Sequence, residues 1–93
     1  MNAFVYILYS DKDKGCYIGS TRNLKDRLER HFKGRSLSTK SRLPLKLVYQ
    51  EKYLSYSEAV KREMFLKKQK SKKYIEKLIS KDSIQHAPVA QPG

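Results

Sequence analysis

Eight residues near the N-terminus, Ala3–Ser10 (AFVYILYS), constrain the fold most, because they are aromatic and β-branched and hardly alternate in polarity. Such a run reads as a largely buried strand, since a strand with one wet face would alternate with period two. The stretch Asp11-Lys12-Asp13-Lys14-Gly15 that follows is polar, of hairpin length and ends on Gly. Cys16–Ser20 is therefore expected to return beside the first strand. Opposed across this hairpin, Tyr6 and Tyr17 are able to bring two hydroxyls to one spot.

Downstream, Asn23 is a good N-cap with Asp26 three residues on, and Gly34 fits the stop. Between them Leu24, Leu28 and Phe32 recur every four residues, which predicts an amphipathic helix packed on the hairpin. Arg27 and His31 share a different stripe of that helix, one turn apart. Residues 35–44 are polar and basic and read as a loop closed by Pro44, and Leu45–Tyr53 reads as a third strand. Ser55 and Glu58 have capping-box spacing before a second helix running to about Lys68. Ser71 is expected to cap a third helix that packs through Tyr74, Ile75, Leu78 and Ile79. From Asp82 on there is no periodicity, and Pro88, Pro92 and Gly93 predict a disordered tail. The order β-β-α-β-α-α predicts an α+β fold: a small three-stranded, mainly antiparallel sheet with helices packed against it. The expected domain spans residues 1–81 and the tail 82–93.

Ninety-three residues make one domain. Twenty-one Lys and Arg against nine Asp and Glu give a net charge of +12. From Lys61 to Lys81 nine positives face only Glu63 and Glu76. Such a field attracts polyanions, and Arg22, Lys40, Arg42, Lys67 and Lys70 are the positions expected to contact nucleic acid. A membrane surface is a poorer partner, because the basic helices lack a bulky apolar face left over after core packing. The sole cysteine, Cys16, excludes an internal disulfide and a cysteine-based zinc site, and is expected to be a small packing residue. The apolar run Ala3–Tyr9 is too short to span a membrane and no basic leader precedes it, so the expected location is the cytoplasm.

Five residues could carry chemistry. A Tyr with its ordinary pKa near 10 is a poor base at neutral pH, so Tyr6 or Tyr17 would need a metal-bound water or a nearby cation. Gly19, two residues after Tyr17, permits close approach by a helix or a ligand. The planar fork of Arg27 is able to hold two phosphate oxygens and stabilise the charge that grows on them. His31 is able to exchange a proton or hydrogen-bond a phosphate, or merely to serve the helix C-terminus. Glu63 shares a stripe with the core-facing Ala59 and Leu66. A carboxylate there needs a cation, either an ion-pair partner such as Arg27 or a lysine, or Mg²⁺.

Val5-Tyr6-Ile7-Leu8-Tyr9-Ser10, Tyr17-Ile18-Gly19, Asn23-Leu24 with Arg27 and His31, Pro44 with Leu47-Val48-Tyr49, and Glu58-Ala59-Val60-Lys61-Arg62-Glu63 together resemble the GIY-YIG nuclease family. The likeness covers about residues 3–79 and is greatest to small stand-alone bacterial members. It implies phosphodiester hydrolysis with one divalent metal, Mg²⁺ or Mn²⁺, held by Glu63, with Arg27 stabilising the phosphate. It also implies that Tyr6, assisted by Tyr17 or His31, orients or deprotonates the attacking water. Phe4 stands where the family name has Gly, and no Asn follows Asn23, whereas many active members carry an Asn after the metal Glu. The expected function is a metal-dependent endonuclease acting on DNA (rather than RNA) with little sequence preference, in DNA repair or processing. The alternatives are a nucleic-acid-binding module that keeps the fold without the chemistry, and an interaction protein whose tyrosines only pack the core. With no specificity domain in the sequence, recognition falls to the module itself, a homodimer or a partner protein.

Overall fold

The structure, a computed structural model, describes residues 2–69 and 72–85. Its elements follow the expected order: strands β1 (Ala3–Ser10) and β2 (Cys16–Thr21), helix α1 (Leu24–Phe32), strand β3 (Leu45–Tyr53), and helices α2 (Tyr56–Lys68) and α3 (Lys72–Gln85). A short 3₁₀ turn, Lys40–Arg42, interrupts the loop before β3. The sheet order is β2-β1-β3, and both pairings are antiparallel. Helix α3 continues to Gln85, past the boundary at Lys81 that the sequence predicted. The expected cap Ser71, the expected contact Lys70 and tail residues 86–93 lie outside the described residues.

The central position of β1 explains its apolar run. Val5, Ile7 and Ile18 face α2 and α3, where they pack with Ala59, Leu66 and Ile75. Tyr6 and Leu8, on the other face, are equally buried. With both faces covered, alternation disappears from the sequence. Each fully buried Val, Ile or Leu in this layer contributes about 1.5–3 kcal/mol.

Both predicted N-caps form. Asn23 accepts from the Asp26 amide, and Ser55 accepts from the Glu58 amide. Gly34 sits at φ +73°, the left-handed conformation that ends α1. Two expectations need correction. Phe32 is 43% exposed, and the buried residue of α1 is His31. Successive helical residues lie about 100° apart, so the face centred on Leu24, Leu28 and His31 turns Phe32 outward. Cys16 is exposed at the start of β2 instead of packed.

The second layer is fixed by a buried carboxylate. On β3, Tyr49, Glu51 and Tyr53 share one face, and both tyrosine hydroxyls donate to Glu51, at 2.5 and 2.7 Å. Arg62 of α2 adds a fork, with Nε and Nη2 each 3.0 Å from a carboxylate oxygen. Burial pushes the Glu51 carboxyl up, but the Arg62 and tyrosine hydrogen bonds outweigh it and hold it below the usual range. This clamp sets the rotation of α2, and therefore the direction of the neighbouring Glu63. Arg62→Met leaves an unpaired charge inside and should lower stability in urea by about 3 kcal/mol. The clamp's contribution is present above pH 4.5, the carboxyl's ordinary value, and is lost as acid reaches the depressed native pKa. An unchanged urea midpoint for this variant at neutral pH would show that α2 is held by packing alone.

Candidate functional site

Strand register decides which side chains meet. Tyr6 pairs with Gly19 and Leu8 with Tyr17, so the two tyrosines are diagonal neighbours on one face of the hairpin and are not directly opposed. Their ring centroids are 6.4 Å apart. The His31 ring completes a three-ring cluster, 5.7 Å from Tyr6 and 5.2 Å from Tyr17. Such separations suit tilted aromatic packing.

Gly19 makes this cluster possible. A Cβ at that position would lie 2.5 Å from the Tyr6 hydroxyl oxygen. The close approach that glycine permits is thus that of the Tyr6 ring, and not of a helix or a ligand.

Below the rings runs a chain of polar contacts. Tyr6 Oη lies 3.0 Å from His31 Nε2, and His31 Nδ1 lies 2.7 Å from Thr39 Oγ1. Tyr6, His31 and Thr39 are all 0% exposed. Burial, with the adjacent Tyr17, pushes the Tyr6 hydroxyl up to about 12, although Arg27 lies within hydrogen-bonding reach and opposes the shift. Burial, then the charges of Arg27 and Arg30, hold the His31 imidazole below 6.5. At neutral pH Tyr6 is therefore a phenol and His31 a neutral imidazole.

Glu63 approaches from the other side of edge strand β2. Ser20 Oγ donates to Glu63 Oε1 at 2.5 Å, and Lys67 Nζ lies 2.6 Å from Oε2. Of the two ion pairs foreseen for this carboxylate, the one with a lysine forms and the one with Arg27 does not. Its charge still reaches Tyr6, where it opposes ionisation. Tyr17, Arg27 and Glu63 are half-buried, so they present surface where Tyr6 and His31 do not.

Tyr6, Tyr17 and His31 thus cluster on one face of the hairpin with the Arg27 charge beside them, while Glu63 meets Ser20 on the other face of β2. The flanking basic positions have separate contacts. Arg22 stacks over the Tyr56 ring at 4.5 Å. Arg42 is 2.6 Å from Asp13 and reaches the Cys16 carbonyl, clamping the hairpin loop. Lys67 sits on Glu63, and Lys40 is exposed in the 3₁₀ turn. Sequence reasoning missed Ser20 and Thr39. Ser20 was findable, because alternation puts it on the same face of β2 as the core residue Ile18. Thr39 has no such signal, since only the path of the loop brings it to His31.

Among the described residues no group of three or more His, Cys, Asp or Glu could hold a metal ion. A divalent cation at Glu63 would therefore be held by one carboxylate, with water and phosphate oxygens completing its shell. That donor set fits Mg²⁺, which keeps most of its waters. Ser20 fixes one carboxylate oxygen, and the other faces a lysine side chain that is 52% exposed.

The family model described as the GIY-YIG catalytic domain matches residues 2–76. The chain is 43% identical over 65 residues to UPF0213 proteins of Staphylococcus haemolyticus (strain JCSC1435) and Staphylococcus aureus (strain N315), covering 69% of this chain and 78% of each relative. A UPF0213 protein from Bacillus halodurans, solved by solution NMR, superposes with a TM-score of 0.58 at 31% identity, covering 92% of this chain and 90% of that one. That fold agrees with the α+β arrangement described above. No helix among the described residues is long and apolar enough to cross a membrane.

Two outcomes follow from the buried cluster. Gly19→Ala forces the Tyr6 ring to move, and should cost about 1–3 kcal/mol in urea denaturation; a neutral result means the ring has room to spare. The lowered His31 pKa makes the unfolded chain bind more protons once pH falls below 6.5. Stability should be flat above that value and decline below it, and His31→Asn should remove this limb of the profile. An identical acid limb in both proteins would mean another group produces it.

Proposed function

The chain belongs to the GIY-YIG family, and from that premise we propose that it hydrolyses phosphodiester bonds in DNA with little sequence preference, using one Mg²⁺ or Mn²⁺ held by Glu63. The family implies a nucleic-acid substrate and a divalent metal; the ion and the choice of DNA are our reading. The observation that carries it is the Tyr6–Tyr17–His31 cluster with Arg27 beside it, and Glu63 close enough across β2 for its charge to act on Tyr6. The +12 charge favours a polyanion.

In this reading the partly exposed residues meet the substrate. Arg27 hydrogen-bonds the scissile phosphate and stabilises the charge that develops on its oxygens. Tyr17 packs against the His31 ring and turns its hydroxyl towards the exposed Ser38 hydroxyl 3.5 Å away, a polar edge along which a strand can lie. Ser20 holds the Glu63 carboxylate in place. When bound, the ion neutralises phosphate charge and supports the leaving oxygen. Tyr6 works as a phenol. With its pKa at about 12, removing its proton at pH 7 costs about 7 kcal/mol. Buried beneath the site, it supports Arg27 from below and does not serve as a standing base.

One observation favours the second reading, a binding module without turnover: no Asn follows Asn23. The two readings separate in one assay. Purified protein should nick supercoiled, single-stranded or branched DNA only with divalent metal. Arg27→Ala should slow cleavage about 10²–10³-fold, and Glu63→Ala should abolish metal-dependent cleavage. Cleavage unchanged in both variants would remove these residues from the site. Salt-sensitive binding with no cutting in any metal would select the binding module. A role in DNA repair or processing, and a homodimer or partner that supplies specificity, belong to the same proposal.

A further inference from the structure

Arg22 lies one residue past β2, and its guanidinium carbon sits 4.5 Å from the ring centroid of Tyr56, the first residue of α2. A guanidinium lying over a ring uses one of its faces and keeps the other, with its N–H donors pointing sideways in its plane. Both side chains are exposed, and an exposed contact of this kind adds little to stability. Arg42 and Arg62 each bind a carboxylate, Asp13 and Glu51 respectively. Among the described residues no carboxylate forms an ion pair with Arg22. The pair therefore presents a flat cation whose charge the protein itself does not answer.

Its position gives that cation a use. Tyr56 and Glu63 are seven residues apart on α2, which at about 100° per residue falls about 20° short of two full turns. They share one stripe, and Lys67 continues it one turn further on, paired with Glu63. Arg22 likewise follows Ser20, the hydroxyl partner of Glu63, by two residues. The stripe thus runs from the Arg22–Tyr56 pair, past the Ser20–Glu63 contact, to Lys67. At about 1.5 Å of rise per residue, Tyr56 is about 10 Å from Glu63 along the helix. That is about three nucleotides at the 3.4 Å rise of a stacked strand.

We propose that Arg22 and Tyr56 form a stacking platform for one unpaired base of a DNA strand, two or three nucleotides from the phosphate that meets Glu63. The base lies on the outer face of the Arg22 guanidinium, Tyr56 holds that plane from beneath, and the N–H edge meets the adjacent phosphate. In a duplex both faces of an internal base are covered by its neighbours, so such a platform takes a single-stranded or frayed segment. Every base has a flat face, and stacking is therefore indifferent to sequence. The inference rests on the proposed nuclease site for the place of the phosphate and narrows its substrate to unpaired DNA.

Binding measured in EDTA tests it without any cleavage. By fluorescence anisotropy, labelled oligothymidylate should bind the wild-type chain more tightly than a duplex of equal length. Tyr56→Ala, and Arg22→Lys, which keeps the charge but loses the plane, should each weaken oligothymidylate binding about 5–150-fold. Neither removes a charge, so the slope of affinity against salt should stay the same. Tyr56→Phe, which keeps the ring, should bind as the wild type does, and amide spectra check that each variant is folded. An oligonucleotide with abasic sites throughout should bind wild type and Arg22→Lys alike. Unaltered oligothymidylate binding by Arg22→Lys, an equal loss on the abasic strand, or a wild-type preference for duplex overturns the inference. A wild-type chain that shows this stacking but cuts nothing in any metal defeats the proposed hydrolysis and leaves the platform standing.

Discussion

A single buried hydrogen bond, Tyr6 Oη to His31 Nε2 at 3.0 Å, joins the central strand to helix α1 and fixes the geometry around it. For it to form, the Tyr6 ring must lie over the backbone of edge strand β2, where only glycine leaves room. The helix must also turn His31 inward, which moves Phe32 out into solvent. The same rotation carries Arg27, one turn earlier, to the side of the Tyr6 hydroxyl. One contact thus accounts for the glycine, for the exposed phenylalanine and for the position of the arginine.

The opposite face of the sheet has its own anchor. Glu51, held by two tyrosines and Arg62, fixes α2 on β3 and so directs Glu63 at Ser20. Neither anchor touches the surface of the site. Each is a buried polar group with its hydrogen bonds filled, the arrangement that makes a small core adopt one geometry. The surface groups Tyr17, Arg27 and Glu63 inherit their placement from these two anchors.

Much of this was legible in the sequence. The hydrophobic run of β1, the Gly-ended loop, both helix caps and β3 follow from local rules, because each is determined within a few residues. The five candidate site residues were picked out through a resemblance that rests on their order and spacing. What escaped was non-local. The burial of His31 depends on Thr39, eight residues away across a loop, and the four-residue repeat of Leu24, Leu28 and Phe32 gave no hint that a histidine would take the inner position. The Glu51 clamp was missed because a charged residue in a strand reads as solvent-facing unless its partner on a later helix is known. The extension of α3 to Gln85 has no propensity signal that separates it from the residues that follow.

The central claim is that Glu63, Arg27 and Tyr17 form one site for a divalent ion and a phosphodiester. Paramagnetic broadening by Mn²⁺, added to labelled protein carrying a non-hydrolysable phosphorothioate dinucleotide, tests it most directly. The amides of Ser20 and Glu63 should broaden first, and the dinucleotide should shift the resonances of Tyr17 and Arg27 in the same titration. Broadening centred on another carboxylate, or a dinucleotide that perturbs only α3, would contradict the account.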